Sequence, residues 1–332
     1  MSHTLCDYVF NSVFIDRGGD VYSCCHKQPA CYGNIYDLPL TAILSGTARS
    51  GKQDLSRTGR LDCFATCNLL SFTLKHERAS KLLSDSSFPT IRKLTLALGW
   101  FCNINCVMCP QDHSERNFLA VDVLKRNIDW SQVQEIICEG GEPLAAPTVR
   151  ELWDHLISLG KKVNFVTNGL IMTAEKAERI AVHSDYIYIS FNAATAETYA
   201  RVTRGGSWSK LLSNLGLIQE ARRVAHSQLR IIGHFTIVEE NLHELPDFLD
   251  LATTLGLDIV NFGYNRIEHM GTCIDQLLQG NEALRNRLSQ QVREAALRAS
   301  RSVIVDGSRL QYLGLLSHHD PRWLTVVSPS GM

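Results

Sequence analysis

Three cysteines with the spacing C-x-x-x-C-x-x-C carry the clearest chemical signal in this sequence. They are Cys102, Cys106 and Cys109, and Pro110 closes the segment. A short loop with this spacing can wrap one face of an iron–sulfur cubane and bind three of its four irons, which leaves the fourth iron open to a small molecule. Reduced core cysteines or half of a zinc site are the alternative. Three thiols at this interval favour the cluster.

A glycine-rich run follows the triplet and ends a strand-like segment. Its residues are Gly140, Gly141, Glu142 and Pro143. Glycine lets a backbone approach a ligand closely, and exposed carbonyl groups at a strand end can accept hydrogen bonds from an ammonium group. A plain tight turn is the alternative interpretation.

Polar side chains stand at the ends of the next two predicted strands. They are Thr167, Asn168, Ser190 and Asn192. Because the carboxyl ends of parallel barrel strands face the site, these residues are placed to hydrogen-bond ribose or carboxylate groups. Each of them could instead cap the helix that follows its strand.

Two arginines precede a pair of glycines further along the chain. Either Arg201 or Arg204 could match a ligand carboxylate in bidentate fashion, and a surface arginine at a helix end is the alternative for each. His113 and His234 show no spacing signal, so we expect them to be satisfied or solvated histidines.

A second group of cysteines lies in residues 1–70. Four positions could supply thiolates to one metal centre: Cys6, one of Cys24 or Cys25, Cys63 and Cys67. The N-terminus shows no charged segment followed by a long apolar segment, so we expect no secretion and a reducing cytoplasm. Metal binding therefore explains these cysteines better than disulfides do. A structural zinc is the alternative to an iron–sulfur cluster.

The composition is that of an ordinary globular protein, with 45% hydrophobic and 20% charged residues among 332. A net charge of −1 gives no attraction to nucleic acid or anionic lipid. No apolar run reaches the length of about 18 residues that a membrane span needs. We therefore expect neither a nucleic-acid nor a membrane partner, while the oligomeric state stays open.

The elements that must position these residues alternate between strand-like runs and amphipathic helices. Strands are predicted at 91–98, 133–138, 162–167, 186–191, 229–238 and 258–263, with a further short one at 303–305. Helices are predicted at about 119–128, 147–159, 173–182, 208–225, 241–255 and 281–300. Six β–α repeats predict a parallel sheet. In the N-terminal module, 9–16 and 21–24 are predicted to form a hairpin across a glycine turn.

With Val166-Thr167-Asn168-Gly169 added to the triplet and the glycine-rich run, residues 90–265 resemble the radical S-adenosylmethionine (radical SAM) superfamily. The resemblance implies an α/β fold, a partial (β/α)6 TIM-type barrel. It also implies that the triplet holds a [4Fe–4S] cluster whose open iron binds S-adenosylmethionine. Residues 140–143 would contact the methionyl amine, and Met108 would pack beside the adenine or be a generic core methionine.

The N-terminal module resembles the SPASM and twitch domains that hold auxiliary iron–sulfur clusters. Cys6, Gly19 and Cys24 fit the family pattern, as do Gly33-Asn34-Ile35 and the late cysteine pair. Such modules usually follow the barrel, whereas this one precedes it, and its cysteines suit one auxiliary [4Fe–4S] cluster. We therefore expect a cluster domain at 1–70, a linker at 71–89, the barrel at 90–265 and a helical or irregular extension at 266–332.

The resemblance implies an enzyme that takes an electron from an external donor of flavodoxin or ferredoxin type. It would cleave S-adenosylmethionine reductively and abstract hydrogen from a substrate. We expect a small molecule (a sugar, nucleoside or amino acid) in natural-product biosynthesis, with a ribosomal peptide or protein side chain as the alternative. A nucleic-acid-modifying enzyme and a non-catalytic metal scaffold are more remote alternatives. No catalytic side chain can be named from the sequence.

Overall fold

The computed structural model describes residues 6, 8–26, 30–61, 63 and 91–317. The predicted linker 71–89 and Cys67 lie outside this part of the chain. The strands of the described residues are β1 (Ser12–Ile15), β2 (Asp20–Tyr22), β3 (Gly33–Asn34), β4 (Ile91–Ala97), β5 (Asn105–Cys106), β6 (Val133–Glu139), β7 (Asn164–Thr167), β8 (Tyr186–Ser190), β9 (Thr203–Arg204), β10 (Arg230–Ile237), β11 (Ile259–Tyr264) and β12 (Ile304–Val305).

The α-helices of the same residues follow in chain order. They are α1 (Tyr8–Asn11), α2 (Leu40–Leu44), α3 (Thr47–Arg57), α4 (Val121–Asn127), α5 (Val149–Ser158), α6 (Ala174–His183), α7 (Ala196–Val202), α8 (Trp208–Val224), α9 (Leu245–Thr254), α10 (Ile274–Gly280), α11 (Glu282–Ala299) and α12 (Ser308–Tyr312). None of these described helices is long and apolar enough to span a lipid bilayer.

All six predicted core strands are present within two residues of their expected bounds, and each is followed by at least one helix. The α/β class and the partial (β/α)6 barrel are confirmed. The hairpin is confirmed as well, but its first strand begins only at Ser12, because residues 8–11 form the short helix α1.

The chain divides into two compact units. The first is drawn from Met1–Phe101 and Ser114–Asn164, and its strand order is β3-β2-β1-β4-β6. The β1–β2 and β2–β3 pairs are antiparallel, whereas β1–β4 and β4–β6 are parallel. The N-terminal cysteine-rich segment therefore adds its own strands to the sheet edge at β4.

The hairpin turn of the first unit is held by one carboxylate. The side chain of Asp16 accepts hydrogen bonds from the N–H groups of Gly18 (2.9 Å) and Asp20 (3.1 Å). Gly19 has a φ of 86°, a conformation that favours glycine. The glycine turn predicted from the sequence is thus an Asp-braced turn.

The second unit comprises Cys102–His113 and Phe165–Met332. Its long strands are parallel and follow the order β7-β8-β10-β11-β12, while β5 and β9 form a separate two-stranded ladder. Phe235 of β10 packs against Phe248 of α9 with ring centroids 4.9 Å apart. Because side chains alternate along a strand, the neighbours of Phe235 face the side away from this helix.

Candidate active site

The cysteine loop of the second unit is pinned by a short ladder. Cys106 pairs with Thr203 and Asn105 pairs with Arg204 in the β5–β9 register. The N–H of Val107 donates to the carbonyl of Val202 at 3.0 Å. This pairing holds the backbone of the cysteine loop at Asn105, Cys106 and Val107.

The first thiol of the triplet is contacted by Asn168, which follows β7. The Asn168 Nδ2 lies 3.6 Å from the Sγ of Cys102 and donates to the Oδ1 of Asn103 at 2.8 Å. Its Oδ1 accepts from the N–H of Leu170 at 2.9 Å. The side chain predicted to contact a ribose or carboxylate group therefore braces the cysteine loop.

The third thiol of the triplet has a histidine beside it. The Nε2 of His113 lies 3.1 Å from the Sγ of Cys109, four residues earlier in the chain. Burial lowers the pKa of His113, which favours the neutral ring. His113 thus has a polar partner, as expected of a satisfied histidine, and that partner is a predicted cluster ligand.

The middle thiol is affected both by burial and by its two neighbours. Burial raises the pKa of Cys106 to about 12, and the nearby charges of Cys102 and Cys109 raise it further. A bound metal reverses this preference, because metal ligation requires the thiolate. The effect of Cys102 and Cys109 on Cys106 is consistent with three thiols on one short loop.

Tyr199 of α7 lies close to this middle thiol. Burial, and then the charge of Cys106, raise the pKa of the Tyr199 phenol. Tyr199 is fully buried, and its hydroxyl has no hydrogen-bond partner in the described structure. Its ring is held by Trp208, at a centroid distance of 5.3 Å. A buried hydroxyl without an acceptor is costly. A sulfur-rich group at the cysteine loop would accept a hydrogen bond from it.

The donor set of the loop fits an iron–sulfur cluster. Three thiols lie on one short loop, and the charges of Cys102 and Cys109 both act on Cys106. Each cysteine of a cubane binds a different iron, so three thiolates leave the fourth iron open. Among the described residues, no group of three His, Cys, Asp or Glu side chains is arranged to hold a single metal ion.

The glycine-rich run packs against the three residues that precede the triplet in the sequence. The N–H of Gly141 donates to the carbonyl of Gly99 (2.7 Å), and that of Glu142 donates to the carbonyl of Phe101 (2.8 Å). A Cβ on Gly141 would lie 2.1 Å from the Phe101 oxygen. We expected Gly141 to have no room for a Cβ because a methionyl group lies against it. In the structure, the backbone of residues 100–101 already occupies that position.

The end of this run forms a short turn. Glu142 is buried, and its Oε1 accepts from the N–H of Leu144 at 3.0 Å, while Pro143 opens the turn. Gly140 has a φ of 130°, which favours glycine. The cofactor contacts assigned to these residues stay predictions.

The other polar strand-end residues differ in what their side chains contact. Thr167 accepts from the N–H of Gly169 at 3.0 Å, which closes a turn. Asn192, with a φ of 55°, accepts from the N–H of Thr236 at 2.8 Å and ties β8 to β10. Ser190 lies half-buried beside His234 in the sheet register. Thr167 and Asn192 thus have local structural roles, and ligand contacts for all three stay predictions.

The two arginines lie in different surroundings. The guanidinium of Arg201 pairs with Glu197 (3.1 Å) and donates to Thr198 (2.9 Å) on α7. Arg204 is exposed and belongs to β9, directly opposite the cysteine loop. A ligand-carboxylate contact stays a prediction for either arginine. Met108 is half-buried in the loop itself.

The N-terminal cysteines form a second group, within the first unit. The charges of both Cys6 and Cys24 act on Tyr32, whose pKa is raised to about 12, mainly by burial. The thiol of Cys25 instead lies near the Glu139 carboxylate. Cys24 stays the predicted ligand, with Cys25 as its alternative. Cys63 is described and half-buried, whereas the position of Cys67 lies outside the described residues.

A buried cation accompanies this second group. Arg49 is only 4% exposed, donates to the carbonyl groups of Val9 and Phe10, and pairs with no carboxylate in the described part of the chain. Burial lowers its pKa, and the neighbouring Tyr32 opposes that effect. A buried charge needs a counter-charge. Four thiolates around a cluster or a zinc ion carry net negative charge, so Arg49 fits an anionic centre of either kind.

Two family models match the chain. The Radical SAM superfamily model matches residues 98–252, and the model of an iron–sulfur cluster-binding domain, SPASM, matches residues 6–68. A Radical SAM domain implies a [4Fe–4S] cluster with S-adenosylmethionine, and a SPASM domain implies auxiliary iron–sulfur binding. Both resemblances inferred from the sequence are thereby confirmed.

Three curated proteins illustrate the similarity. Mycofactocin maturase MftC of Mycobacterium tuberculosis is 32% identical over 173 residues, covering 49% of this chain and 42% of the relative. AdoMet-dependent heme synthase of Methanosarcina barkeri is 31% identical over 186 residues, covering 53% and 50%. PqqA peptide cyclase of Streptomyces rochei is 28% identical over 240 residues, covering 70% and 60%. The chain thus matches about half the length of these relatives.

Proposed function

Because the chain belongs to the radical SAM superfamily and carries a SPASM segment ahead of its barrel, we propose that it is an enzyme that modifies a ribosomally made peptide. The observation that supports this choice is the alignment with a peptide cyclase over 70% of the chain, the longest of the three. The similarity to a maturase points the same way. These relatives favour the peptide over the small molecule that we expected from the sequence.

The cysteine triplet is the proposed cluster site of the barrel. When bound, the [4Fe–4S] cluster and S-adenosylmethionine supply a 5′-deoxyadenosyl radical that abstracts hydrogen from the substrate, after an external donor provides one electron. Cys102, Cys106 and Cys109 would hold the cluster on a loop whose backbone pairs with β9 in the β5–β9 ladder. Asn168 places an N–H donor at the first thiol, and such hydrogen bonds stabilise thiolate charge.

The N-terminal cysteines are the proposed auxiliary site. Cys6, Cys24, Cys63 and Cys67 would ligate a second [4Fe–4S] cluster fully, so that no iron stays open for S-adenosylmethionine. Arg49 would offset the negative charge of this centre. The role of the auxiliary cluster would then be electron transfer or pocket architecture.

A small-molecule substrate is the second candidate. The similarity to a heme synthase, at 31% identity over 53% of the chain, favours it. The barrel itself does not distinguish the two substrates, because the same radical chemistry serves both.

An anaerobic activity assay with fractionated extract separates these candidates. Reconstituted protein, dithionite and S-adenosylmethionine are incubated with the small-peptide fraction of cells that produce the protein, and 5′-deoxyadenosine is measured. We expect the fraction to stimulate 5′-deoxyadenosine formation and one peptide to change mass. Protease treatment of the fraction beforehand should remove the stimulation. Stimulation that survives protease would overturn the peptide proposal in favour of the small molecule.

A further inference from the structure

A row of polar residues crosses the parallel strands of the second unit. His234 of β10 is paired in register with Ser190 of β8 on one side and with Asn261 of β11 on the other. Asp306 follows β12 directly, and its N–H donates to the carbonyl of Val260 at 2.9 Å, which places it next in the same row. Neither the triplet nor the glycine-rich run includes any of these residues.

This row lies on the sheet face opposite α9. Phe235, next to His234, faces α9 through its contact with Phe248, so the His234 ring points the other way. A Cβ on Gly263 would lie 3.3 Å from the His234 ring. Glycine at this position gives the imidazole its room beside Thr236, which pairs with Gly263 in the register.

Each hydrogen bond along the row is donated towards Asp306: from Thr236 to His234, from His234 to Asn261, and from Asn261 to Asp306. Asn261 Nδ2 donates to the buried carboxylate of Asp306 at 2.8 Å, which leaves Asn261 Oδ1 to accept from His234 Nδ1 at 2.8 Å. A neutral imidazole that is protonated at Nδ1 has an acceptor at Nε2. The Nε2 of His234 lies 3.1 Å from the hydroxyl of Thr236 and therefore receives its proton.

The charged surroundings keep this arrangement in place. Asp306 also accepts from the N–H (3.2 Å) and hydroxyl (2.7 Å) of Ser308, so every described contact of its carboxylate is with a donor. Arg309 lies near both Asp306 and His234. Burial, opposed by the contact with Asn261 and aided by Arg309, lowers the pKa of His234 and keeps the ring neutral.

We propose that Thr236 is a substrate-binding residue that presents only a hydrogen-bond acceptor to its ligand, since its own proton is committed to His234. The ligand group is therefore a donor. That this donor is the N–H of a peptide amide rests on the proposed function. The acceptor character of Thr236 does not depend on it. Thr236 is half-buried and next to last in β10, at the carboxyl end where barrel enzymes bind substrate. His234, Asn261 and Asp306 are positioning residues.

The first test is the protonation of His234, which needs no substrate. Nitrogen NMR of 15N-histidine-labelled, cluster-loaded, oxidised protein reports the tautomer, and His234→Gln assigns the signal. We expect the neutral Nδ1–H form throughout the range of about pH 6–8. Asn261→Leu removes the acceptor and should release the Nε2–H form. An Nε2–H tautomer or an imidazolium in the parent protein would reverse the donor direction and overturn the proposal.

The second test uses two probes that differ by one N–H. N-methylacetamide carries a single donor and N,N-dimethylacetamide carries none, and ligands this small bind with a dissociation constant on the order of 0.1 M. We expect N-methylacetamide to shift the His234 Nε2 signal in a saturable way. The shift should be at least three times that caused by N,N-dimethylacetamide. Thr236→Val should abolish the difference, and Thr236→Ser should retain it.

Three outcomes of the probe test would overturn the proposal: equal shifts from both probes, a shift that persists in Thr236→Val, or no shift from either probe. The peptide-modifying function and the acceptor role of Thr236 can be refuted independently of each other. A protease-resistant substrate would refute the peptide function while a correct tautomer and a donor-dependent shift would still support the acceptor at Thr236.

Discussion

Replacing Gly141 by alanine tests whether the glycine-rich run is locked against the segment that leads into the cysteine loop. The added Cβ would lie 2.1 Å from the carbonyl oxygen of Phe101 and 2.4 Å from that of Trp100. Both neighbours are backbone atoms, so no side-chain rotation relieves the overlap. Either the strand end or the segment must move.

This movement separates two backbone hydrogen bonds, from Gly141 to Gly99 (2.7 Å) and from Glu142 to Phe101 (2.8 Å). Their loss costs about 1 kcal/mol each. Overpacking adds roughly 1–3 kcal/mol. We therefore expect Gly141→Ala to lower the free energy of unfolding by about 3–5 kcal/mol. Because the displaced segment precedes Cys102 directly, S-adenosylmethionine affinity should fall at least tenfold, or about 1.4 kcal/mol.

Gly216→Ala is the matched control. Gly216 lies inside α8, and a Cβ there meets nothing within 4 Å. Alanine is favoured over glycine in a helix interior by about 1 kcal/mol, so this variant should be slightly more stable. Urea unfolding midpoints of the metal-free proteins and S-adenosylmethionine binding to the reconstituted proteins give the two readouts. If Gly141→Ala matched the parent protein in both, the steric argument would be refuted.

Three further predictions concern the cysteines and the buried phenol. Cys106→Ala should abolish 5′-deoxyadenosine formation whereas Cys273→Ala, a buried cysteine outside the triplet, should not; normal product from Cys106→Ala would exclude the triplet as the cluster site. Reconstituted protein should hold about eight irons per chain, and the Cys63→Ala/Cys67→Ala variant about four. Four irons with one tightly bound zinc in the parent protein would contradict this. Tyr199→Phe should shift the midpoint potential of the barrel cluster to more negative values in an EPR-monitored titration, because the buried hydroxyl no longer stabilises sulfur charge; an unchanged potential would show that the hydroxyl does not reach the cluster.

Most of the fold could be predicted because its signals are local. The apolar run of β4 and the alternating pattern of β10 are visible in the sequence, and Thr173 caps α6 through its side chain, as its position before the helix predicts. The two-residue strands β5 and β9 have no such signal. They exist only because distant segments of the chain meet.

Some residues of the candidate site could also be predicted from the sequence, whereas others depend on tertiary placement. The triplet is defined by its spacing, so Cys102, Cys106 and Cys109 could be found without a structure. The contacts of Asn168 and Tyr199 with the cysteine loop depend on tertiary placement, and no periodicity marks them. The contact of His113 with Cys109 likewise depends on the conformation of an irregular loop. The burial of Arg49 is also a product of tertiary packing, and no sequence pattern marks it.

The parallel pairing of β1 with β4 has a consequence for how this chain can be handled. Four residues of β1 cover the backbone of β4 in register, from Ser12 opposite Lys93 to Ile15 opposite Leu96. Without β1, the N–H and C=O groups along that edge of β4 would be unpaired, and such an edge is a template for pairing with other chains. A shortened protein without β1 would therefore be prone to aggregate whatever metal its cysteines bind, and point substitutions are the safer way to dissect the N-terminal segment.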